Sequence, residues 1–574
     1  MPCATSDCSE PMTETLVVAI AAVVAIAVAT TIAPKIKVAG PLILVAVGIG
    51  VSLLPFVPDI QVDPEIILVG VLPPLLYSAA VSLPAIEFRR DLGHISGLAV
   101  LLVVISSVAL AFFFVAVIPG LSFFLALALG AILSPTDAVA TSIAKRLGIS
   151  RRVVTLLEGE SLLNDATSLV IMRTAVAAAL LGSVPDGGFI GAFVWGVIVA
   201  AAIGALIGYL NLRLRAFVRH SAANTAIGFV VPFAAFIPTE ELGGSGLVAA
   251  VVAGIVTGQG SVRWFTPEQR MSDAVNWRTI ELVLEGSVFL VMGLELSEIV
   301  GENAASDEGI WHGPMLAVVA FVIVLGVRAA YVALLVVFQG RRARDRRHAR
   351  LARLSEHIDR HADRPTHGSP HPRGSRRLAR ILADLAYYRA DAIGWRHGTV
   401  IVWAGMRGVV TLAAAQTLPR DTPERPLLIF VAFLVAVGSL MLQGLTLPWV
   451  VRMLKVDDAG EQVTRADQRR LDAELREAAA SALPGGDLTR QDGSYFPDSL
   501  LAGVGSRLTE PPDDATGPLA RDALELRLAL IEVMRRRLDE VSTGGGYSTS
   551  ALRHALAELD AAEMSLRLRL DGQS

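Results

Sequence analysis

Long blocks of apolar residues, separated by short polar segments, account for most of the first 454 positions. Most blocks hold about 20 residues, the length that a helix needs to cross about 30 Å of hydrocarbon. A backbone in lipid must satisfy its hydrogen bonds internally, so blocks this long predict transmembrane helices rather than a barrel. The thirteen candidate spans lie near residues 16–33, 38–57, 66–86, 95–118, 121–144, 153–181, 189–210, 222–238, 242–258, 279–299, 314–338, 399–418 and 427–454. The eighth and ninth spans are the shortest and therefore the weakest.

The loops between these spans alternate in charge. Loops after odd-numbered spans carry Lys and Arg, whereas the intervening loops hold only Arg420 and Arg425. Short cytoplasmic loops are enriched in basic residues, so the alternation predicts an outside N-terminus and a cytoplasmic C-terminus. Residues 1–14 are then an extracytoplasmic tail, and residues 15–454 form the membrane domain.

Composition agrees with a multi-pass protein of the cell membrane. The chain is 53% hydrophobic and 18% charged, with a mean hydropathy of +0.56. Its two cysteines, Cys3 and Cys8, precede the first block, so neither a disulfide framework nor a thiolate metal site is supported. The first block lacks a preceding basic region, which favours a retained span over a cleaved signal peptide. No cofactor and no nucleic-acid partner are expected.

Two regions lie outside this pattern. Residues 339–398 form a basic loop with six of the ten histidines, including His348, His357, His361, His367 and His371. The loop is either a solvated positive segment near anionic headgroups or a pH sensor. After Val456 hydropathy falls, and residues 464–482, 519–542 and 549–570 have helical periodicity around a linker at Pro484–Pro518. Residues 455–574 are predicted to be a cytoplasmic helical tail with a regulatory role.

Two spans contain helix-breaking residues. If spans one to six and eight to thirteen are inverted repeats around the seventh, the fifth span corresponds to the twelfth. The fifth contains Ser134-Pro135-Thr136-Asp137, and the twelfth contains Gly405-Met406-Arg407-Gly408. Paired interrupted helices mark midplane sites in transporters, and a proline frees a carbonyl oxygen for a cation. The alternative is a proline kink with small-residue packing.

The sixth span carries two adjacent polar stripes. Ser161 and Asp165 lie four residues apart on one helical face, and Glu160 and Asn164 lie four apart on the next. Intramembrane acids are expected to be functional or paired with cations. The spacing predicts an ion path along one stripe and a structural Glu160–Arg407 ion pair, bridged by Asn164, along the other.

Three more charged residues lie within predicted spans. Arg173 could pair with a carboxylate, and Arg328 with Glu285. Structural neutralisation is the expected role of these groups.

Four motifs together resemble a known family, the Na+/H+ antiporters of the cation:proton antiporter-1 group, which are NhaP-like bacterial relatives of the animal sodium/proton exchangers. The motifs are LPPLLYSAA at Leu72–Ala80, SPTDAVA at Ser134–Ala140, EGESLLND at Glu158–Asp165 and GMRGVV at Gly405–Val410. The resemblance covers residues 15–454. It implies an all-α fold and a homodimer.

The resemblance also implies roles for individual residues. The transport site contains Asp165, Asn164, Asp137, Thr136 and Ser161, with Asp165, Ser161 and Thr136 as ligands of the transported Na+. Glu160 and Arg407 are the implied ion pair. Several relatives carry an acid in the third span where this chain has Ser78. A single cycling acid would make the exchange electroneutral.

These features predict a secondary antiporter, not an enzyme, that exchanges Na+ or Li+ for H+ and contributes to pH homeostasis. A buried carboxylate can hold a proton or a cation but not both comfortably, so competition at Asp165 would couple the two flows. K+/H+ exchange is the main alternative, because nothing in the side chains fixes cation size. A cation channel and a transport-deficient sensor are lesser alternatives. The sequence has no P-loop, and its spans have no HExxH motif or Ser/His arrangement that would indicate an enzyme.

Overall fold

The structure is a computed structural model that describes part of the chain. The described residues are 10–36, 38–54, 63–181, 188–218, 220–304, 311–362, 393–456, 470–471, 473–475, 477–483, 488–490, 493–497, 500–501, 518–544 and 546–571. Cys3, Cys8, His367 and His371, discussed above, lie outside these residues.

Helices dominate the described residues, which otherwise contain one isolated bridge between Thr489 and Tyr495. We label the α-helices in chain order. They are α1 (Glu10–Ile36), α2 (Gly40–Ser52), α3 (Leu72–Ser82), α4 (Ala85–Ser96), α5 (Leu102–Val117), α6 (Phe123–Leu133), α7 (Val139–Arg146), α8 (Arg151–Leu181), α9 (Gly188–Phe217), α10 (Ser221–Glu241), α11 (Gly246–Trp264), α12 (Pro267–Leu294), α13 (Leu296–Ala304), α14 (His312–Ala362), α15 (Trp395–Trp403), α16 (Val409–Gln416), α17 (Arg425–Leu454), α18 (Pro518–Gly544) and α19 (Thr549–Asp571).

Short π-helical turns precede two of these helices, at Ile66–Val71 before α3 and at Gly97–Leu101 before α5. At α3 the cause lies in the sequence, because Pro73 and Pro74 have no N–H to donate to the preceding turn.

Within the described ranges, seven helical segments are long and apolar enough to cross a membrane. They are Val18–Ile36, Ala85–Val117, Val194–Phe217, Ala222–Glu241, Gly246–Trp264, His312–Phe338 and Arg425–Leu454. Helices overlap every predicted span, but several are short or interrupted. An all-α membrane protein is thus confirmed, whereas thirteen crossings and an inverted repeat stay predictions.

The transmembrane helices pack as two bundles. Helices α1–α3 and α9–α12 pack mainly on one another and form what we call the unbroken-helix bundle. Helices α4–α8 and α14–α17 form the other, the broken-helix bundle, since it contains both interrupted spans. Fewer contacts join the two bundles than hold either together, so a seam runs between them.

Two boundaries differ from the hydropathy blocks. Helix α12 begins at Pro267, well before the predicted 279, because Thr266 and Gln269 form a capping box. Helix α14 continues through Ala362 into the predicted loop 339–398. Hydropathy detects the apolar part of a helix but does not detect polar turns at its ends. Helices α18 and α19 match the predicted tail segments closely.

Candidate functional site

The break in the fifth span lies where the sequence predicts it. Helix α6 ends at Leu133, and α7 starts at Val139. Between them Pro135 cannot donate a backbone hydrogen bond. The Asp137 carboxylate accepts a hydrogen bond at 2.8 Å from the backbone amide of Val139, the first residue of α7.

The break in the twelfth span meets the first one directly. Helix α15 ends at Trp403, and α16 begins at Val409. The Asp137 amide donates to the Met406 carbonyl oxygen at 2.8 Å. Gly408 permits this approach, because a Cβ there would overlap the Asp137 carboxylate. Both predicted interruptions are confirmed, and they pack against each other.

Arg407 stabilises the ends of the broken helices. Its Nε donates to the Leu133 carbonyl oxygen at 3.1 Å, and its Nη1 donates to the Gly405 carbonyl. Its backbone amide donates to the Ser439 hydroxyl at 2.9 Å. A cation suits this position because carbonyls at helix C-termini carry partial negative charge.

Glu160 pairs with Arg328, so the prediction that Arg407 is its partner is wrong. Nη2 of Arg328 donates to Oε2 of Glu160 at 2.9 Å, Nη1 donates to Oε1, and both residues are at most 2% exposed. The Arg328 Nε donates to the Ile401 carbonyl at 3.0 Å, which fixes the guanidinium on α15. A bidentate pair offsets the desolvation of both charges.

The predicted Arg328–Glu285 pair is wrong for the same reason, since Arg328 is committed to Glu160. Arg173 does meet a carboxylate, that of Glu240 on α10.

Thr136 and Asn164 connect the break to this ion pair. The Asn164 Nδ2 donates to Thr136 Oγ1 at 2.8 Å, and Thr136 Oγ1 donates to Glu160 Oε1 at 3.3 Å. Asn164 therefore reaches Glu160 through Thr136 rather than by bridging Glu160 and Arg407. These two hydrogen bonds hold the unwound segment in one arrangement beside α8.

A cavity of about 240 Å³ opens beside the break. Thr136, Asp137, Ser161 and Asp165 all line it, so the structure brings these predicted residues together. Asn164 contacts the cavity wall through Thr136. The Asp165 carboxylate makes no hydrogen bond or ion pair with the described residues, even though Asp165 is buried and only 8% exposed. A buried carboxylate left without a protein partner is suited to bind a proton or a cation.

The opposite wall comes from the unbroken-helix bundle. Leu72, Leu76 and Ala79 of α3 and Val288 and Phe289 of α12 supply its apolar surface. Glu281 and Glu285 of α12 also line the cavity. Sequence reasoning missed Glu281 entirely, although its spacing of four residues from Glu285 was a usable signal. The site thus lies on the seam between the two bundles.

One end of the cavity carries an ion pair between Lys145 and Glu158. Lys145 is 56% exposed, so this end is the mouth. Lys145 lies in the last turn of α7, in the basic segment between the fifth and sixth spans whose charge predicts a cytoplasmic location.

Comparison with known proteins agrees with this geometry. The family model described as "Sodium/hydrogen exchanger, transmembrane" matches residues 19–357 and 374–453. An uncharacterised Na+/H+ exchanger of Mycobacterium tuberculosis is 29% identical over 573 residues, with 96% of each chain covered. The low-affinity Na+/H+ antiporter NhaS1 of Synechocystis is 28% identical over 439 residues, which cover 76% of this chain and 73% of NhaS1.

A solved structure has the same fold. The sodium proton antiporter MjNhaP1 of Methanocaldococcus jannaschii aligns with a TM-score of 0.54 at 15% identity, covering 76% of this chain and 99% of its own. The family match spans most of the chain, and the predicted resemblance is confirmed. This chain belongs to the sodium/hydrogen exchanger family of membrane antiporters.

Proposed function

We propose that the protein is a secondary antiporter that exchanges Na+ for H+ across the cell membrane, with Asp165 as the shared binding residue. The observation that carries this proposal is the unpartnered Asp165 carboxylate in a cavity on the seam between two bundles. Ser161 and Thr136 line the same cavity and supply hydroxyl oxygens for Na+. When one bundle moves against the other, the site changes sides only with a proton or a cation bound.

Asp137 has a different role in this proposal. One of its carboxylate oxygens already accepts the Val139 amide, and its backbone amide is bound to Met406. These contacts indicate that Asp137 fixes the geometry of the break and attracts cations electrostatically. Asp165 remains the single carrier.

Ion selectivity is tested by adding each cation to everted membrane vesicles that hold a proton gradient. A fluorescent ΔpH dye should dequench on addition of Na+ or Li+ and respond weakly to K+. A larger response to K+ would favour K+/H+ exchange, and no response to any of the three would overturn the proposal.

One-for-one, electroneutral coupling follows from a single carrier. Ser78, in the third span, is buried within α3 and cannot carry a charge through the cycle. In proteoliposomes without ΔpH, an imposed membrane potential should drive no net Na+ uptake. Potential-driven uptake that disappears in Asp165→Asn would contradict this stoichiometry.

We also propose thirteen crossings, arranged as two inverted six-helix repeats around the seventh span, with an outside N-terminus, a cytoplasmic C-terminus and a homodimeric assembly. Contacts of the tail support this placement of the C-terminus in the cytoplasm. Arg553 and Asp560 of α19 contact the Leu83 carbonyl at the end of α3 and Arg270 in the first turn of α12, and Ser548 just before α19 accepts from Arg151 at the start of α8. These helix ends adjoin the basic segments that charge assigns to the cytoplasm. Accessibility of single introduced cysteines and light scattering in detergent would test topology and assembly.

Residues 455–574 are proposed to be regulatory. The Thr549 amide donates to Glu87 of α4 at 2.7 Å, while Arg270 Nε of α12 donates to Asp560 at 2.9 Å. Ile86 of α4 and Val262 of α11 pack on the apolar core of the tail. The tail therefore joins the broken-helix bundle to the unbroken-helix bundle and would restrain their relative motion.

A further inference from the structure

Carboxylates line both walls of the cavity. Asp137 and Asp165 come from the broken-helix bundle, and Glu281 and Glu285 come from α12 in the other bundle. A spacing of four residues places the two glutamates on one face of α12, facing a shared cavity.

Glu281 and Glu285 lie at different depths. Both α8 and α12 begin on the face that contacts the tail, through Arg151 and Arg270. The lining residues of α8 run from Glu158 at the mouth to Asp165, and those of α12 run from Glu281 past Glu285 to Phe289. With a rise of about 1.5 Å per residue, Glu285 is about 6 Å deeper than Glu281.

The electrostatic surroundings of Glu285 differ from those of the mouth. Glu158 is neutralised by Lys145. Glu285 makes no hydrogen bond or ion pair with the described part of the chain, and two other acidic residues, Asp137 and Glu281, line the same cavity. An anionic group with mostly anionic neighbours on a low-dielectric wall attracts cations strongly.

We propose that Glu285 is a staging ligand, which binds the incoming monovalent cation across the cavity before the cation reaches Asp165. The proposal rests on the exchange function proposed above. Glu285 belongs to the opposite bundle from Asp165, so it contacts the cation while the cavity is open and does not travel with the carrier. Its carboxylate should therefore set the apparent affinity for the cation rather than the maximal rate.

The test is Glu285→Gln in everted vesicles, with the Na+ concentration varied at fixed pH and rates normalised to inserted protein. The apparent KM for Na+ should rise about 10-fold while the maximal rate stays unchanged, because focused charge raises local cation concentration by about that factor. Glu285→Asp, which keeps the charge, should recover most of the affinity. The matched control is Glu268→Gln, at an exposed position in the first turn of the same helix.

Ionic strength separates an electrostatic role from a structural one. Added choline chloride should raise the KM of the wild-type protein more than that of Glu285→Gln, because screening acts on the charge that the variant lacks. An unchanged KM in Glu285→Gln, or a lower maximal rate at unchanged KM, would overturn the staging role. Absence of exchange in the wild-type protein would instead refute the proposed function.

Discussion

The two bundles are held together by different kinds of contact. In the unbroken-helix bundle, helices approach at glycines: Gly204 and Gly208 of α9 meet the backbone of α11, and Gly254 and Gly258 of α11 meet that of α3. A Cβ at any of these positions would overlap its neighbour. Small residues spaced by four let helix backbones pack closely in a membrane without polar contacts.

The broken-helix bundle depends more on buried charge, although one buried ion pair, Arg215 of α9 with Asp273 of α12, also lies in the described part of the unbroken-helix bundle. Arg152 forms two hydrogen bonds with Asp91, at 3.0 and 2.9 Å, and Arg328 is bidentate to Glu160. Arg407 neutralises carbonyls at the breaks. Buried ion pairs are weak stabilisers relative to apolar packing, but they fix one geometry. We conclude that the unbroken-helix bundle supplies a close-packed wall and the broken-helix bundle supplies a specified, polar site.

The largest effect is expected at Asp165. Asp165→Asn removes the group for which proton and cation compete, so exchange should be abolished. The protein should still insert and melt normally, because the carboxylate makes no hydrogen bond or ion pair with any described residue. Dye dequenching on Na+ addition checks this result, and near wild-type rates in the variant would rule out Asp165 as the carrier.

Breaking the Glu160–Arg328 pair should mainly affect stability. Arg328→Gln leaves a buried carboxylate unpaired and should destabilise the protein by about 3–5 kcal/mol. The double variant Glu160→Gln/Arg328→Gln should recover much of that loss, because no charge is then buried alone. Melting temperatures in detergent measure both, and a double variant less stable than Arg328→Gln would contradict the pairing.

This pair also marks where sequence reasoning stops. The apolar blocks, the two breaks and the cavity residues Thr136, Asp137, Ser161 and Asp165 follow from local rules of periodicity and proline chemistry. The partner of Glu160 does not, because two buried arginines on different helices are equivalent until the helices are packed. Arg407 instead binds the Leu133 carbonyl of the fifth-span break and the Gly405 carbonyl of its own break, which the sequence alone cannot place.

Glycine substitutions compare the bundles directly. Gly258→Ala would press on the Val81 backbone and should lower the melting temperature while the KM for Na+ is retained. Gly408→Ala would press on the Asp137 carboxylate and should reduce exchange more than stability.

Gly438→Ala is the control for both, because nothing lies within 4 Å of the added methyl group. It should be neutral or slightly stabilising, by about 0.5–1 kcal/mol. The distinction between the bundles fails if Gly258→Ala raises the KM while Gly408→Ala leaves exchange intact.

The smallest effect is expected from the tail after Val456 and from the histidine-rich loop, since no described residue of either lines the cavity. The described tail helices contact both bundles. A protein ending at Val456 should still exchange cations for protons, since every cavity residue precedes that position. Without the contacts of Thr549 with Glu87 and of Asp560 with Arg270, the seam is freer to open, so the rate should rise modestly at unchanged KM. Asp560→Asn in the full chain should act in the same direction. Changing His348, His357, His361, His367 and His371 to glutamine should shift the pH profile at most, because these side chains titrate near pH 6.5 when unperturbed. Complete loss of exchange in a truncated protein that inserts correctly would mean that the tail is part of the transport machinery, and the division between a site at the seam and a restraint outside both bundles would be wrong.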